Sequence, residues 1–153
     1  MSPGKSDLLR AEFTSSFTFT RSTGPVVGRF LTELKDRRIF GIKGSDGKVL
    51  VPPLEYDTNT FEALHEFVEV GQTGVVQTWC WVNQPREKHL LDRPFAWALI
   101  KLDGADTAML HMVNAGDESA MSTGMRVKAR WAEETKGSIT DIKFFEPIQE
   151  AFL

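Results

Sequence analysis

The feature that most constrains the fold is a series of short, apolar, strand-like runs that begins after residue 65. These runs are rich in β-branched and aromatic residues and occupy residues 67–70, 74–82, 95–102, 107–113, 125–131 and 139–145. Asp103-Gly104 and Lys136-Gly137 are typical of the turns that separate strands. A sheet of many short strands has exposed edges unless it closes on itself. The sequence therefore predicts a mainly β protein with a small, partly closed barrel of five to six strands.

Two apolar patterns precede the barrel. Residues 1–12 are polar, and Phe13, Phe17 and Phe19 then lie among serines and threonines, with Phe17 and Phe19 in alternation. This alternation predicts a short extended arm with one apolar face. A helix is expected over residues 25–37, with Thr23 as its N-cap and Pro25 in its first turn.

One side of that expected helix is apolar. The residues at helical spacing are Val27, Phe30, Leu31 and Leu34. A stripe of this kind either packs on the body of its own chain or contacts a partner. The sequence favours neither alternative.

Residues 41–59 have the spacing of a zinc ribbon without its ligands. Gly41 and Gly44 are spaced like the cysteines of a C-x-x-C knuckle, and Tyr56 and Asn59 repeat that spacing. A structural zinc site would need four thiolates here, so no zinc is expected. The hairpin must then be held by turns and packing, with Tyr56 filling the space of a metal. A glycine-rich hairpin with no metal ancestry would show the same pattern.

Composition excludes several classes of protein. The chain has 153 residues and a formal net charge of -3, so it lacks the basic field that nucleic-acid binding requires. Residues 1–7 lack the apolar run of a signal peptide, and no stretch is long enough to span a membrane. The single cysteine cannot form an internal disulfide. We expect a cytoplasmic protein.

The sequence contains no convincing catalytic residues. His65, His89 and His111 lie in different elements, and none has metal-ligand spacing with another. Cys80 lies between Trp79 and Trp81, which favours a buried, inert thiol. The tryptophans of the strand-like runs are expected to pack in the core. We therefore predict no catalytic residue and no metal ligand in this chain.

The chain resembles a known family of OB-fold proteins that accompany thiolases and other acyl-CoA enzymes. Members have an N-terminal helix, a rubredoxin-like zinc ribbon and an OB-fold barrel. The motifs that carry the resemblance are residues 51–53 (VPP), 74–78 (GVVQT), 94–103 (PFAWALIKLD), 124–127 (GMRV) and 144–147 (FFEP). The resemblance implies an arm and helix at residues 1–36, a degenerate ribbon hairpin at residues 37–64 and an OB-fold barrel at residues 65–153.

The missing cysteines and residues 20–30 (TRSTGPVVGRF) resemble one branch of that family, which is associated with bacterial steroid, including cholesterol, degradation. The resemblance implies a non-catalytic accessory subunit that binds and activates a thiolase-like aldolase. That aldolase cleaves a 17-hydroxy steroid side-chain CoA thioester by retro-aldol chemistry and releases propionyl-CoA. The partner would bind most of the CoA thioester, and the complex would be a heterotetramer built on a partner dimer.

The accessory role requires a partner-binding surface. The predicted residues are the apolar Phe17, Phe19, Phe30, Leu31 and Leu34, with Arg21 and Arg29 at the edge. Two other functions stay open. The chain could be a stand-alone acyl-CoA-binding OB module that uses Lys43, Lys48, Arg86 or Lys88, or it could serve a different thiolase. A small hydratase or thioesterase is disfavoured because no pair of catalytic side chains is evident.

Overall fold

The computed structural model describes residues 10–149 of the chain. Residues 1–9, which make up most of the polar segment that precedes the arm, lie outside the described part, as do residues 150–153. Within residues 10–149 no helix combines the length and the hydropathy needed to cross a bilayer.

The described chain contains one α-helix and eight strands. They are α1 (Gly24–Lys35), β1 (Ile39–Lys43), β2 (Val49–Leu50), β3 (Phe67–Val70), β4 (Thr73–Val82), β5 (Phe95–Leu102), β6 (Met109–Val113), β7 (Arg126–Trp131) and β8 (Ile142–Pro147). Two short 3-10 helices, Glu118–Ala120 and Ile139–Asp141, lie in the connections that follow β6 and β7. The observed helix begins one residue before the predicted one and ends two residues before it, and each predicted strand run overlaps a strand.

Five strands close into a barrel in the order β4-β5-β6-β8-β7. The pairs are antiparallel except for β6 with β8, which is parallel, so the barrel is mixed. The fully buried inward side chains include Val76, Ile100, Val113 and Phe145. The predicted fold class is confirmed: the protein is mainly β, with a closed five-stranded barrel preceded by a helix.

The remaining strands form a separate three-stranded sheet in the order β2-β1-β3. Strand β3, whose residues the sequence grouped with the barrel runs, pairs with β1 through Ile42 opposite Phe67 and Ile39 opposite Val70. The turn at Gly71 and Gln72 then leads into β4. The predicted boundaries at residues 36 and 64 stay predictions, and the pairing of β1 with β3 crosses the second of them.

Helix α1 fastens the three-stranded sheet to the barrel. Its buried residues are Val26, Phe30 and Leu34. Phe30 and Leu34 belong to one apolar cluster with Ile39 and Val51 of the hairpin and with barrel residues such as Ile100. One continuous core therefore joins the helix, the hairpin and the barrel.

A smaller core lies outside the barrel wall. The long connection between β4 and β5 folds back so that Leu91 packs with Phe95 and Met112. His89 stacks edge-on against Phe95 and Trp97, with ring centroids 5.1 and 6.0 Å apart. This connection therefore covers part of the outer face of β5 and β6.

Candidate partner-binding surface

The first knuckle position of the predicted ribbon is closed to any side chain. A Cβ atom at Gly41 would lie 2.7 Å from Cγ1 of Val49 and 2.8 Å from the carbonyl oxygen of Leu50. Val51 also reaches this space, since its Cγ2 would lie 2.8 Å from the same Cβ. Glycine at this position thus lets β2 pack directly on β1, and a metal-binding side chain would not fit there.

A carboxylate lies beside the second knuckle position. Asp57 is 3% exposed, and a Cβ at Gly44 would lie 3.1 Å from its Oδ2. Oδ2 accepts a hydrogen bond of 2.7 Å from the Ser45 backbone N–H, and Oδ1 accepts bonds of 2.7 and 3.0 Å from Asn59 and Thr60. These backbone donors, Ser45 first, lower the pKa of Asp57 to about 2. One carboxylate therefore ties the two knuckle turns together.

The predicted role of Tyr56 is corrected by this arrangement. Tyr56 is 61% exposed and forms only a β-bridge with Ala63, so its ring does not fill the space of a metal. Asn59 is exposed as well. Gly41, Gly44, Tyr56 and Asn59 do not fit a zinc ion, because none supplies a thiolate or imidazole and Asp57 lies between the turns. Residues 10–149 hold no cluster of three or more metal-binding side chains.

The arm is the most exposed apolar segment of the described chain. Phe13, Phe17 and Phe19 are 91%, 78% and 76% exposed. The rings of Phe17 and Phe19 touch only loosely, with centroids 6.2 Å apart. Arg21 is exposed at the base of the arm, in a groove that Glu55 also lines. Three exposed phenylalanines in one short segment are typical of a surface that a partner covers.

The helix residues of the predicted partner surface are less exposed than the arm residues. Phe30 and Leu34 are buried in the core of this chain, and half-buried Leu31 packs against that core. The guanidinium of Arg29 lies 4.3 Å from the ring centroid of Phe67 and forms an ion pair with Glu33. The prediction that Phe30 and Leu34 contact a partner is therefore corrected, because the barrel already covers them.

The structure keeps His65 away from the other two histidines, whereas His89 and His111 line one cavity. His65 is exposed, and His89 is stacked on aromatic rings. His111 is 5% exposed, and burial lowers the pKa of its imidazole. Cys80 is exposed, which corrects the expectation of a buried thiol. Strand alternation explains the error: Trp79 and Trp81 pack against the core, so Cys80 between them faces outward.

One largely apolar cavity lies on the outer barrel wall. It has a volume of about 380 Å³. Its walls include Leu90 of the long connection, Trp97 and Leu110 of the barrel, and Lys88 at its edge. The cavity is open to solvent, and His89 and His111 line it as well.

The comparisons with known proteins bear on the barrel. Residues 67–132 match the family model of the C-terminal OB-fold domain of ChsH2. The matched residues run from the first residue of β3 to just past the end of β7, so this part of the chain is similar to that OB-fold domain. The search of curated proteins found no match to this chain.

Solved structures with the same fold cover more of the chain. One is a DUF35-family protein of unknown function from Sulfolobus solfataricus, with 24% identity, a TM-score of 0.56, and coverage of 70% of this chain and 77% of that one. Another is described as the Ltp2-ChsH2(DUF35) aldolase, with 17% identity, a TM-score of 0.63, and coverage of 84% of this chain and 98% of that one. At these identities the likeness shows that the fold is shared.

Asp57 is the residue that sequence reasoning missed. It is the acidic residue between the predicted knuckle positions Tyr56 and Asn59. The order Asp57-Thr58-Asn59-Thr60 carried a usable signal, because an aspartate readily accepts hydrogen bonds from backbone N–H groups two and three residues ahead.

Proposed function

We propose that this chain is the non-catalytic accessory subunit of a thiolase-like aldolase. The observation that carries the proposal is the combination of residues that match the ChsH2 OB-fold model with an exposed aromatic arm. The fold shared with the Ltp2-ChsH2(DUF35) aldolase structure supports the same assignment. The arm, with Phe17, Phe19 and Arg21, is the proposed contact with the partner.

The chemistry of the proposed reaction supports a non-catalytic role for this chain. In a retro-aldol cleavage, a base takes the proton of the hydroxyl group as that carbon becomes a ketone. The electron pair of the breaking C–C bond passes to the carbon beside the thioester, and donors must stabilise the enolate. His89 and His111 line one cavity, but no described acidic side chain lines it with them, and burial lowers the pKa of the His111 imidazole. The proposal therefore assigns base and donors to the partner.

The finer features of the proposal follow from the family resemblance. The substrate is a steroid side-chain CoA thioester, propionyl-CoA is released, and the partner binds most of the CoA. The complex is a heterotetramer built on a partner dimer, it works in the cytoplasm, and it uses no zinc. This chain activates the aldolase by ordering loops of the partner that face the substrate.

Co-expression with the thiolase-like protein encoded nearest to this chain tests the proposal. We expect the two proteins to co-elute on size exclusion, and we expect cleavage of the steroid CoA thioester only when both are present. Separate elution, together with full activity of the partner alone, would remove the basis for an accessory role. Activity with a non-steroid β-hydroxyacyl-CoA alone would keep the role and change the substrate.

A second candidate function is acyl-CoA binding by this chain alone. The observation that favours it is the cavity lined by Leu90, Trp97 and Leu110 with Lys88 at its edge. An apolar cavity with few polar groups is the usual form of a small-ligand site. Calorimetric titration of the isolated chain with an acyl-CoA decides between the two. Binding that Trp97→Ala abolishes would favour the second candidate.

A further inference from the structure

The turn that follows β2 displays several large side chains to solvent. Residues 54–61, here named the Asp57 turn, include Leu54, Tyr56 and Phe61, which are 44%, 61% and 80% exposed. Asp57 itself is buried at the centre of the turn. The turn therefore has a fixed polar interior and an apolar exterior.

Phe61 adopts a backbone conformation that a bulky residue rarely adopts. Its φ angle is +61°, in the left-handed region that favours glycine or asparagine. The Phe61 N–H donates a 3.0 Å hydrogen bond to the Asp57 carbonyl oxygen, and the Asp57 carboxylate fixes the preceding Asn59 and Thr60. The strain is thus imposed by the turn, and the exposed ring gains little packing within this chain. Strained, over-determined residues of this kind are concentrated at functional sites.

The Asp57 turn is continuous with the base of the arm. Glu55 lines a groove with Arg21 and Pro25, where the arm enters α1. Tyr56 lines an adjoining depression that Pro25 and Glu55 also border. Because the two depressions share Pro25 and Glu55, the base of the arm and the start of the Asp57 turn form one continuous surface.

The charges of the turn define the chemistry of a complementary surface. Glu55 and Glu62 flank the exposed aromatic rings, and neither forms an ion pair within residues 10–149. A matching partner surface would offer an apolar pocket for an aromatic ring with basic side chains at its rim.

From these observations we infer that the Asp57 turn is the second half of the docking surface for the thiolase-like subunit. Phe61 is its aromatic anchor, and Asp57 is the positioning residue that holds the ring outward. This inference rests on the proposed function and adds to it a site that the arm residues do not include. A ribbon-like segment without zinc ligands thus presents a side chain to a partner.

The variant Phe61→Gly should weaken binding to the partner without lowering the stability of this chain. Glycine adopts a φ of +61° without strain, so the unfolding midpoint of the isolated full-length chain should stay unchanged or rise. The dissociation constant of the complex with the co-expressed thiolase-like subunit should rise at least about tenfold. Phe61→Asn, which also tolerates the left-handed region, should behave in the same way. Leu99→Ser is the matched control, because Leu99 is 37% exposed on β5 and does not line the apolar cavity.

Each outcome bears on one of the two claims. If the wild-type chain does not bind the thiolase-like subunit, the proposed function fails, and this surface fails with it. If the wild type binds and Phe61→Gly binds equally well, the accessory role stands and the Asp57 turn is not part of the interface. Weakening by Leu99→Ser with no effect of Phe61→Gly would instead place the partner on the barrel wall.

Discussion

The barrel and the ribbon segment (residues 37–64) of this chain are held together by different means. In the barrel, five strands pair around fully buried apolar side chains such as Ile100 and Phe145. The ribbon segment has short strands, a close contact at Gly41 that only glycine permits, and one buried carboxylate. A zinc ribbon would use a metal for the same purpose. In this chain, close packing and Asp57 hold the two knuckle turns instead.

The two regions also differ in the surface they present. Among the described residues, seven of the eleven large exposed apolar side chains lie between Phe13 and Phe61, and four lie in the barrel region. The barrel buries most of its large apolar side chains, whereas the arm and the Asp57 turn leave aromatic rings exposed to solvent. This contrast is the physical basis for placing the partner on the N-terminal side of the molecule.

A cavity in the core that joins the ribbon segment to the barrel should have the largest effect on stability. Phe30 is 4% exposed and packs in the core shared by the helix, the ribbon segment and the barrel. We expect Phe30→Ala to lower the free energy of unfolding by about 3–5 kcal/mol, because it leaves a cavity in that core. Urea denaturation measures the change. Val27→Ala, on the same helix but 37% exposed, is the control, with a change below about 1 kcal/mol. Equal effects of the two variants would contradict the shared core.

Loss of the Asp57 charge should weaken the ribbon segment in a pH-dependent way. The pKa of Asp57 is lowered from 3.8 to about 2 by backbone donors, so its charge stabilises the folded state above pH 3.8. That contribution is lost as the pH falls through about 2. Asp57→Asn should therefore lower the Tm by about 5 °C at neutral pH. The difference from wild type should shrink as the pH falls from 3.8 towards 2.

Exposed Asp92 provides the control for this variant. Asp92→Asn, in the connection between β4 and β5, should leave the Tm within about 1 °C of the wild type at each pH. A constant Tm difference between Asp57→Asn and wild type across the acid range would show that the charge of Asp57 does not hold the turns.

Sequence reasoning recovered the barrel because strand alternation and turn residues are local signals. It could not decide the fate of the stripe on α1, since a buried stripe and a partner-facing stripe have the same spacing. Cys80 was misjudged for a related reason: the flanking tryptophans indicated an apolar strand, but not which face of it pointed outward. The local half of the Asp57 role, its bonds from Asn59 and Thr60, had a sequence signal, whereas its bond from Ser45 depends on the folding of the two turns together.

The arm should affect binding while leaving stability almost unchanged. Phe17 and Phe19 contact little besides each other, so the double change Phe17→Ser and Phe19→Ser should alter the free energy of unfolding by less than about 0.5 kcal/mol. The same variant should lose co-elution with the thiolase-like subunit. Thr18→Ala, between the two rings, is the control and should co-elute normally. A complex that survives the double change would leave the Asp57 turn as the docking surface without the arm.

The smallest effect on stability and on binding is expected from a change on the outward face of the barrel. Cys80 is exposed between the inward Trp79 and Trp81, so Cys80→Ser should change the unfolding free energy by no more than about 0.5 kcal/mol. In the folded wild type, a thiol reagent such as DTNB should titrate one group per chain without denaturant. If the thiolase-like subunit covers the N-terminal side, the labelling rate should be the same in the complex and in the free chain. Protection of Cys80 in the complex would instead place the partner on β4 and β5. The barrel would then carry the interface, and the contrast with the exposed N-terminal surface would be wrong.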